Sequence, residues 1–175
     1  MMSGHGFPSA QRWLAFGLRP SFSVDNETRM PSDLFAQMRA LVLSDHMLET
    51  ERTRKAGGRP VLIPVRDVLE FATIEGARAT GLDRKVGTLT PGKRADIILI
   101  DLDDISLIPS ADPVSTVVLR AHAGNVSWVF VDGKARKRDG KMVDVDSAKL
   151  RAMVDSSHNY LLGLAKAAGI DIRRG

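Results

Sequence analysis

The sequence contains no cysteine. Disulfides and thiolate metal sites are therefore excluded, and the composition favours a reducing compartment. No apolar stretch approaches the roughly 20 residues that a membrane-spanning helix needs. The first residues, Met1–Gly6, lack the basic and apolar regions of a signal peptide. These absences predict a cytoplasmic protein that has no membrane partner.

Aromatic residues are scarce, at 5% of the chain, whereas the net charge is +4 and the pI is about 9.7. The basic residues form two clusters: Arg52, Arg54, Lys55 and Arg59, then Lys134, Arg136, Lys137, Arg138 and Lys141. They could form a surface for nucleic acid or an acidic ligand, or they could be solvated loops and a charge-protected strand edge. Because base stacking needs aromatic rings, which these runs lack, we favour the second interpretation and predict no nucleic-acid partner.

Histidine is also sparse, with four residues and no H-x-H or H-x-x-x-H pair. A catalytic zinc ion normally needs about three protein ligands. His46 and His122 have no second histidine at ligand spacing, and we interpret them as surface or loop residues. The residues of this chain therefore do not predict a complete metal site.

What the sequence does contain is enough apolar residues, 43% of 175, to form the core of about one domain. In the first half, apolar spacing and capping residues predict helices separated by one strand. The elements are a helix over Ser9–Phe16, a strand over Arg19–Val24 that ends at Asp25, a helix after Asp33 that frays near Thr50, a polar loop over 51–60, and a helix from Pro64 to about Thr80.

The second half changes to strand patterns. Pro91-Gly92 is a turn dipeptide, and the apolar run Ile97–Ile100 after it is typical of a strand covered on both faces. Two Asp-Gly turns predict an antiparallel meander. Its strands are Ile97–Leu102, Thr116–Ala121, Val126–Val131, Lys134–Arg138 and Lys141–Val143, with a proline-bearing loop over 103–115 and a terminal helix capped by Asp146 or Ser147.

Four stretches carry a resemblance to a known family. They are Ser23–Asp25, Ala72–Ala79, Gly87–Asp101 and Val129–Lys134. In combination they resemble the C-terminal part of the metal-dependent amidohydrolase superfamily, in the branch of cytosine deaminases and triazine hydrolases.

The resemblance implies a mixed fold, α/β plus β, and three regions. Residues 1–82 would be the last portion of an incomplete (β/α)8 TIM-type barrel, including its eighth strand. Residues 83–145 would be the C-terminal strands of a small β-sandwich built from segments before and after the barrel. Residues 146–175 would form a terminal helix and tail.

The resemblance also implies the site. Asp25 matches the eighth-strand aspartate, which binds the metal and carries a proton from the metal-bound water to the leaving nitrogen. From spacing alone, Asp25 could equally begin an Asx-turn. His5, Asn26 and Glu27 are candidates for substrate contact, although His5 could simply be an exposed terminal histidine.

The parent enzyme would hydrolyse C–N bonds other than peptide bonds, such as by deaminating a small heterocyclic substrate with water activated by zinc or iron. Because the family's histidine ligands are absent, we expect this chain to be inactive alone and to bind no metal by itself. We expect it either to associate with itself or to need a missing N-terminal segment. The alternative is a self-associating structural module without catalysis.

Overall fold

A computed structural model describes residues 10–25 and 32–170. They belong to two compact units that divide after Lys141. The helices are α1 (Ala10–Ala15), α2 (Leu34–Ala56), α3 (Val65–Phe71), α4 (Ile74–Ala79), α5 (Pro113–Leu119), a 3₁₀ turn (Ala123–Asn125) and α6 (Ser147–Ala167). The strands are β1 (Ile97–Ile100), β2 (Val126–Val131), β3 (Lys134–Arg138) and β4 (Lys141–Met142).

Helix α2 begins where the sequence predicts, because the Asp33 side chain accepts a hydrogen bond from the Ala36 N–H at 2.8 Å. The prediction that it frays near Thr50 is wrong, since it continues to Ala56. Glu51 pairs with Arg54 at 2.8 Å and with Lys55 at 3.0 Å along the helix. Such pairs support helix in a polar segment that has no apolar stripe.

The single helix predicted from Pro64 to Thr80 is two helices, α3 and α4. The chain breaks at Thr73, whose φ of −129° and ψ of −93° are not helical. The Thr73 hydroxyl donates to the Leu69 carbonyl at 2.8 Å, a local bond that competes with regular helix. As predicted, Gly81 follows the second helix, with a φ of 69°.

Two predicted strands are not strands. Residues 18–25 join no ladder with any described residue, because no neighbouring strand is beside them. The Thr116–Ala121 segment lies largely in α5, whose N-cap Asp112 accepts from the Val114 N–H at 3.1 Å. A capping aspartate followed by a proline is a strong helix start and outweighs the β-branched residues after it.

The sheet is an antiparallel meander, as predicted, but without the predicted strand Thr116–Ala121, and its strand order is β1-β2-β3-β4. Ile98 lies opposite Val129 and Leu99 opposite Trp128. Asp132 and Gly133 have φ values of 51° and 75°. Asp139 and Gly140 have values of 47° and 76°. Both positive angles are those of tight hairpin turns that match the twist of the strands.

The apolar run of β1 predicts a strand covered on both faces, but β1 is only partly covered. Ile100 and Val129 pack against the core, whereas Ile98 and Leu99 are 48% and 47% exposed. Ile98 lies opposite Val129 and Leu99 opposite Trp128, so the two exposed side chains are on opposite faces of the sheet. Exposed apolar side chains in a strand of this composition leave apolar surface free.

The core of the first unit joins α2, α3 and α5. Its fully buried large side chains are Phe71, Leu107, Val68 and Val118. Helix α2 adds Met38, Leu41 and Val42 to the same cluster.

The second unit consists largely of α6, which Asp146 caps by accepting from the Lys149 N–H at 2.9 Å. Leu150, Val154, Leu161 and Leu164 are exposed, and none of the residues of α6 is buried. No helix in the ranges that the structure describes is both long and apolar enough to span a bilayer.

Replacing Gly87 by alanine should destabilise the fold more than the same change at Gly92. Both glycines have φ near 90°, which costs an alanine about 1–2 kcal/mol. At Gly87 a Cβ would also lie 2.8 Å from the Ala77 Cβ and 3.0 Å from the Ile74 Cα, adding about 1–3 kcal/mol, whereas Gly92 has open space around it. Urea unfolding measures both variants, and equal losses would contradict the close approach.

Asp112 should make the first unit less stable in acid. Its pKa lies below the usual value, chiefly because the Ser115 hydroxyl donates a hydrogen bond to the carboxylate. Such a group stabilises the fold above an unfolded pKa of about 3.9, and the contribution is lost as the pH falls through the lower folded pKa. The free energy of unfolding, measured from about pH 6 to pH 2, should therefore fall less steeply in Asp112→Asn than in the wild type. Asparagine still caps the helix but cannot titrate. Ser115→Ala should also weaken the pH dependence of stability. If both variants keep the pH dependence of the wild type, the Asp112–Ser115 hydrogen bond is not its cause.

Candidate functional site

Asp25 is the sequence-predicted site residue that the structure describes. It ends residues 18–25, hereafter the Asp25 segment, which follows α1 after a turn at Gly17. Its φ is 67°, a left-handed conformation that aspartate tolerates better than most residues. Its N–H donates to the Ser23 hydroxyl at 3.3 Å, and the residue is exposed. A carboxylate is thus presented at the end of a segment that must be held by other contacts.

An arginine at the start of the segment makes the first of those contacts. The Arg19 Nε donates to the Glu75 carboxylate at 2.7 Å, and the terminal nitrogen donates to Glu70 at 2.7 Å. The same nitrogen lies 3.4 Å from Asp67. One guanidinium therefore ties the segment to both α3 and α4.

An aromatic contact forms a second anchor. The Phe22 and Phe71 ring centroids are 6.4 Å apart, with the planes tilted by 59°. The Arg19 guanidinium lies 5.1 Å from the centroid of the same Phe71 ring. Phe71 is 1% exposed, so both anchors rest on a side chain that the core holds in place.

The electrostatics keep Arg19 charged. Partial burial lowers its pKa, but hydrogen bonds with Glu75 and Asp67 outweigh this effect and raise the pKa above the usual value. Glu75 is 5% exposed and accepts a second charged hydrogen bond, from Arg78 at 2.7 Å. The negative charge of the buried Glu75 carboxylate is therefore neutralised by two guanidinium groups, those of Arg19 and Arg78.

A separate buried carboxylate fixes the helix before the segment. Asp45 of α2 is 4% exposed and accepts from the Gln11 side chain at 2.9 Å and from the Ile63 N–H at 2.8 Å. Gln11 belongs to α1. The hydrogen bonds satisfy the Asp45 carboxylate, so we assign it a structural role.

The described residues do not fit a complete metal site. Within 10–25 and 32–170, no group of three histidine, aspartate or glutamate side chains is placed to hold an ion. His46 and His122 are exposed, as predicted, and His122 accepts from the Gly124 N–H at 3.1 Å to cap the 3₁₀ turn. A zinc ion needs about three protein ligands. The structure therefore supplies no reaction step through a metal.

The other predicted site residues, His5, Asn26 and Glu27, lie outside the described residues. Their contact with substrate stays a prediction.

Sequence reasoning missed Arg19 and Phe22, which hold the segment. One signal was available, because Asp67, Glu70 and Glu75 lie at spacings that can share one side of a helical region. Their partner Arg19 lies about 50 residues earlier in the chain, as the Arg19–Glu70 hydrogen bond shows. No pattern in the local sequence indicates this long-range contact.

A groove of about 470 Å³ lies where two of the resemblance stretches meet. Its lining includes Thr73, Gly76, Ala77, Thr80, Gly87, Leu89, Asp96 and Ile98. Its titratable lining residue, Asp96, accepts from the Asp132 N–H at 2.6 Å. The groove therefore presents a mainly apolar surface and lacks an acid–base pair.

The basic strand β3 has aromatic neighbours that the linear sequence did not reveal. The Trp128 and Phe130 rings stack with centroids 5.6 Å apart, and the Arg138 guanidinium lies 5.2 Å from the Trp128 centroid. These rings already contact protein groups. The absence of a nucleic-acid partner remains a prediction.

Comparison with known families identifies the class of protein. The model of the Amidohydrolase family matches residues 2–136, and the chain belongs to this family. The family resemblance inferred from the sequence is therefore confirmed.

Two curated relatives are deaminases. A 5-methylthioadenosine/S-adenosylhomocysteine deaminase of Moorella thermoacetica is 30% identical over 150 residues, which is 85% of this chain and 33% of that protein. A 5′-deoxyadenosine deaminase of Methanothermobacter thermautotrophicus is 29% identical over 174 residues, 98% of this chain and 36% of that protein. The chain thus spans about a third of the length of these relatives.

Solved structures show the fold. Atrazine chlorohydrolase from Arthrobacter aurescens, complexed with zinc, gives a TM-score of 0.75 at 21% identity, covering 87% of this chain and 32% of that one. An adenosine deaminase from Xanthomonas campestris with bound zinc gives a TM-score of 0.65 at 23% identity, covering 75% and 28%. The chain has the fold of a segment of these two proteins, each of which was solved with zinc.

Proposed function

We propose that this chain is the C-terminal segment of an enzyme that hydrolyses C–N bonds other than peptide bonds and deaminates small heterocyclic substrates. The observation that carries the proposal is the family match over residues 2–136, which includes Asp25. Deaminases of methylthioadenosine, S-adenosylhomocysteine and deoxyadenosine among the relatives support an adenosine-like substrate. A cytoplasmic location remains part of this proposal.

In this proposal Asp25 is the proton-transferring carboxylate. An aspartate within hydrogen-bonding reach of a hydrolytic water can accept its proton and return it to the leaving nitrogen. The exposed position of Asp25, at the end of an anchored segment, supports this role. His5, Asn26 and Glu27 would contact the substrate.

The parent enzyme would use a divalent metal, zinc or iron, with Asp25 as one ligand. Within the described residues no group of three ligands is placed to hold an ion. In this proposal the other ligands come from a missing N-terminal segment or from a second copy of the chain. The proposed regions are the end of the barrel (1–82), the sandwich strands (83–145) and the terminal helix (146–175). Alone, the chain would be inert.

The first test is metal content and ammonia release by the purified 175-residue chain. After dialysis we expect far less than one zinc or iron per chain and no ammonia from 5′-deoxyadenosine or 5′-methylthioadenosine, with or without added Zn²⁺ or Fe²⁺. One tightly bound metal per chain, with ammonia release that Asp25→Asn abolishes, would contradict the predicted inactivity.

A chimera tests the function itself. The N-terminal two-thirds of the Moorella relative is joined to this chain in place of its own matching segment. We expect ammonia release that Asp25→Asn lowers about a hundredfold or more. Asp139→Asn, in the hairpin turn between β3 and β4, should leave it unchanged. A folded, metal-loaded chimera that releases no ammonia from these substrates would refute the proposal.

A second candidate function is a self-associating structural module. It is favoured by the exposed side chains of Ile98 and Leu99, one on each face of β1, and, separately, by the apolar side chains that α6 exposes. Uncovered apolar surface of this kind favours association with another copy or with the missing N-terminal segment.

Sedimentation of the 175-residue chain tests self-association. If β1 mediates it, a dimer should form at micromolar concentrations, and Leu99→Lys should weaken it at least tenfold. Ile105→Lys is the matched control, because Ile105 is more exposed than Leu99 but lies in a loop. A species that stays monomeric into the high micromolar range would exclude this candidate.

A further inference from the structure

We propose that Arg19 is a positioning residue of the active site, and that it fixes the Asp25 segment on the α3–α4 corner by forking between two helices. The inference rests on the proposed role of Asp25, to which it adds the means by which the carboxylate is placed. It assigns no contact between Arg19 and substrate.

Within this chain the segment is held without the support that a strand normally has. Residues 18–25 form no ladder with any part of the chain that the structure describes. Backbone hydrogen bonds to neighbouring strands are what hold an extended segment in a sheet. In this chain the side chains of Arg19 and Phe22 restrain the segment.

The geometry suits a guanidinium and no other side chain. Nε reaches Glu75 of α4 and the terminal nitrogen reaches Glu70 of α3, each at 2.7 Å. These two carboxylates lie on either side of the helix break at Thr73. A planar fork can bind both at once, whereas a lysine ammonium at this position carries the charge without the fork.

The setting makes this ion cluster stronger than an ordinary surface pair. Arg19 is 31% exposed and Glu75 is 5% exposed, so solvent screening is reduced at that bond. The guanidinium also lies over Phe71, the ring that Phe22 contacts. Arg19 and Phe22 thus restrain the segment at two points before Asp25.

The cluster also allows a clean test. Glu75 keeps the charged hydrogen bond from Arg78 at 2.7 Å when Arg19 is replaced, so Arg19→Met does not leave a buried carboxylate without a partner. Arg78→Met is the matched control, because it removes a cation from the same carboxylate but Arg78 belongs to α4 itself.

The experiment measures backbone ¹⁵N order parameters in the full 175-residue chain. In the wild type we expect residues 21–25 to approach the value of about 0.85 typical of rigid backbone, and in Arg19→Met to fall below about 0.6. Arg19→Lys should be intermediate, Arg78→Met should match the wild type, and α2 should be unchanged in every variant.

Three results would overturn the proposal. Order parameters of residues 21–25 that do not change in Arg19→Met would show that the arginine restrains nothing. A loss of order that includes α2 would show a general role in folding rather than positioning. Complete restoration by Arg19→Lys would show that charge suffices without the fork. None of these measurements needs metal or turnover, so they stand even if the proposed hydrolysis fails.

Discussion

The burial of the Phe71 ring is the constraint on which the candidate site depends. Phe71 ends α3 inside the core shared with α2 and α5, and its ring also meets Arg19 and Phe22. Core packing and site geometry therefore share one side chain. A substitution that shifts this ring would change the position of the Asp25 segment and would also lower the stability of the first unit.

Local chemistry explains how far the sequence predicts the fold. The Asp33 cap and the two Asp-Gly turns each act within four residues, and the structure follows them. The strand predicted over Arg19–Val24 fails because strand formation depends on a neighbour, and the described residues provide none. For Thr116–Ala121, β-branched residues suggested strand, but Asp112 and Pro113 specified a helix start. Asp25 could be nominated through the family stretches, whereas the contacts of Arg19 span more than 50 residues and leave no local pattern.

The exposure of β1 also depends on which parts of the domain are present to cover it. Ile100 and Val129 pack on the core, while Leu99 remains half exposed beside the Trp128–Phe130 pair. A strand with the composition of a two-sided core is thus present with incomplete cover. This arrangement agrees with a chain that spans about a third of its relatives, since composition reflects the environment of the whole domain.

Helix α6 has a thermodynamic consequence of its own. It has 21 residues, one well-formed cap and no buried side chain. In proteins, packing of an apolar face rather than intrinsic propensity supplies most of the stability of helices. By mass action, any surface that covers Leu161 and Leu164 would draw the coil–helix equilibrium toward helix. The helical circular dichroism signal of this segment would therefore report how much of its apolar face is covered.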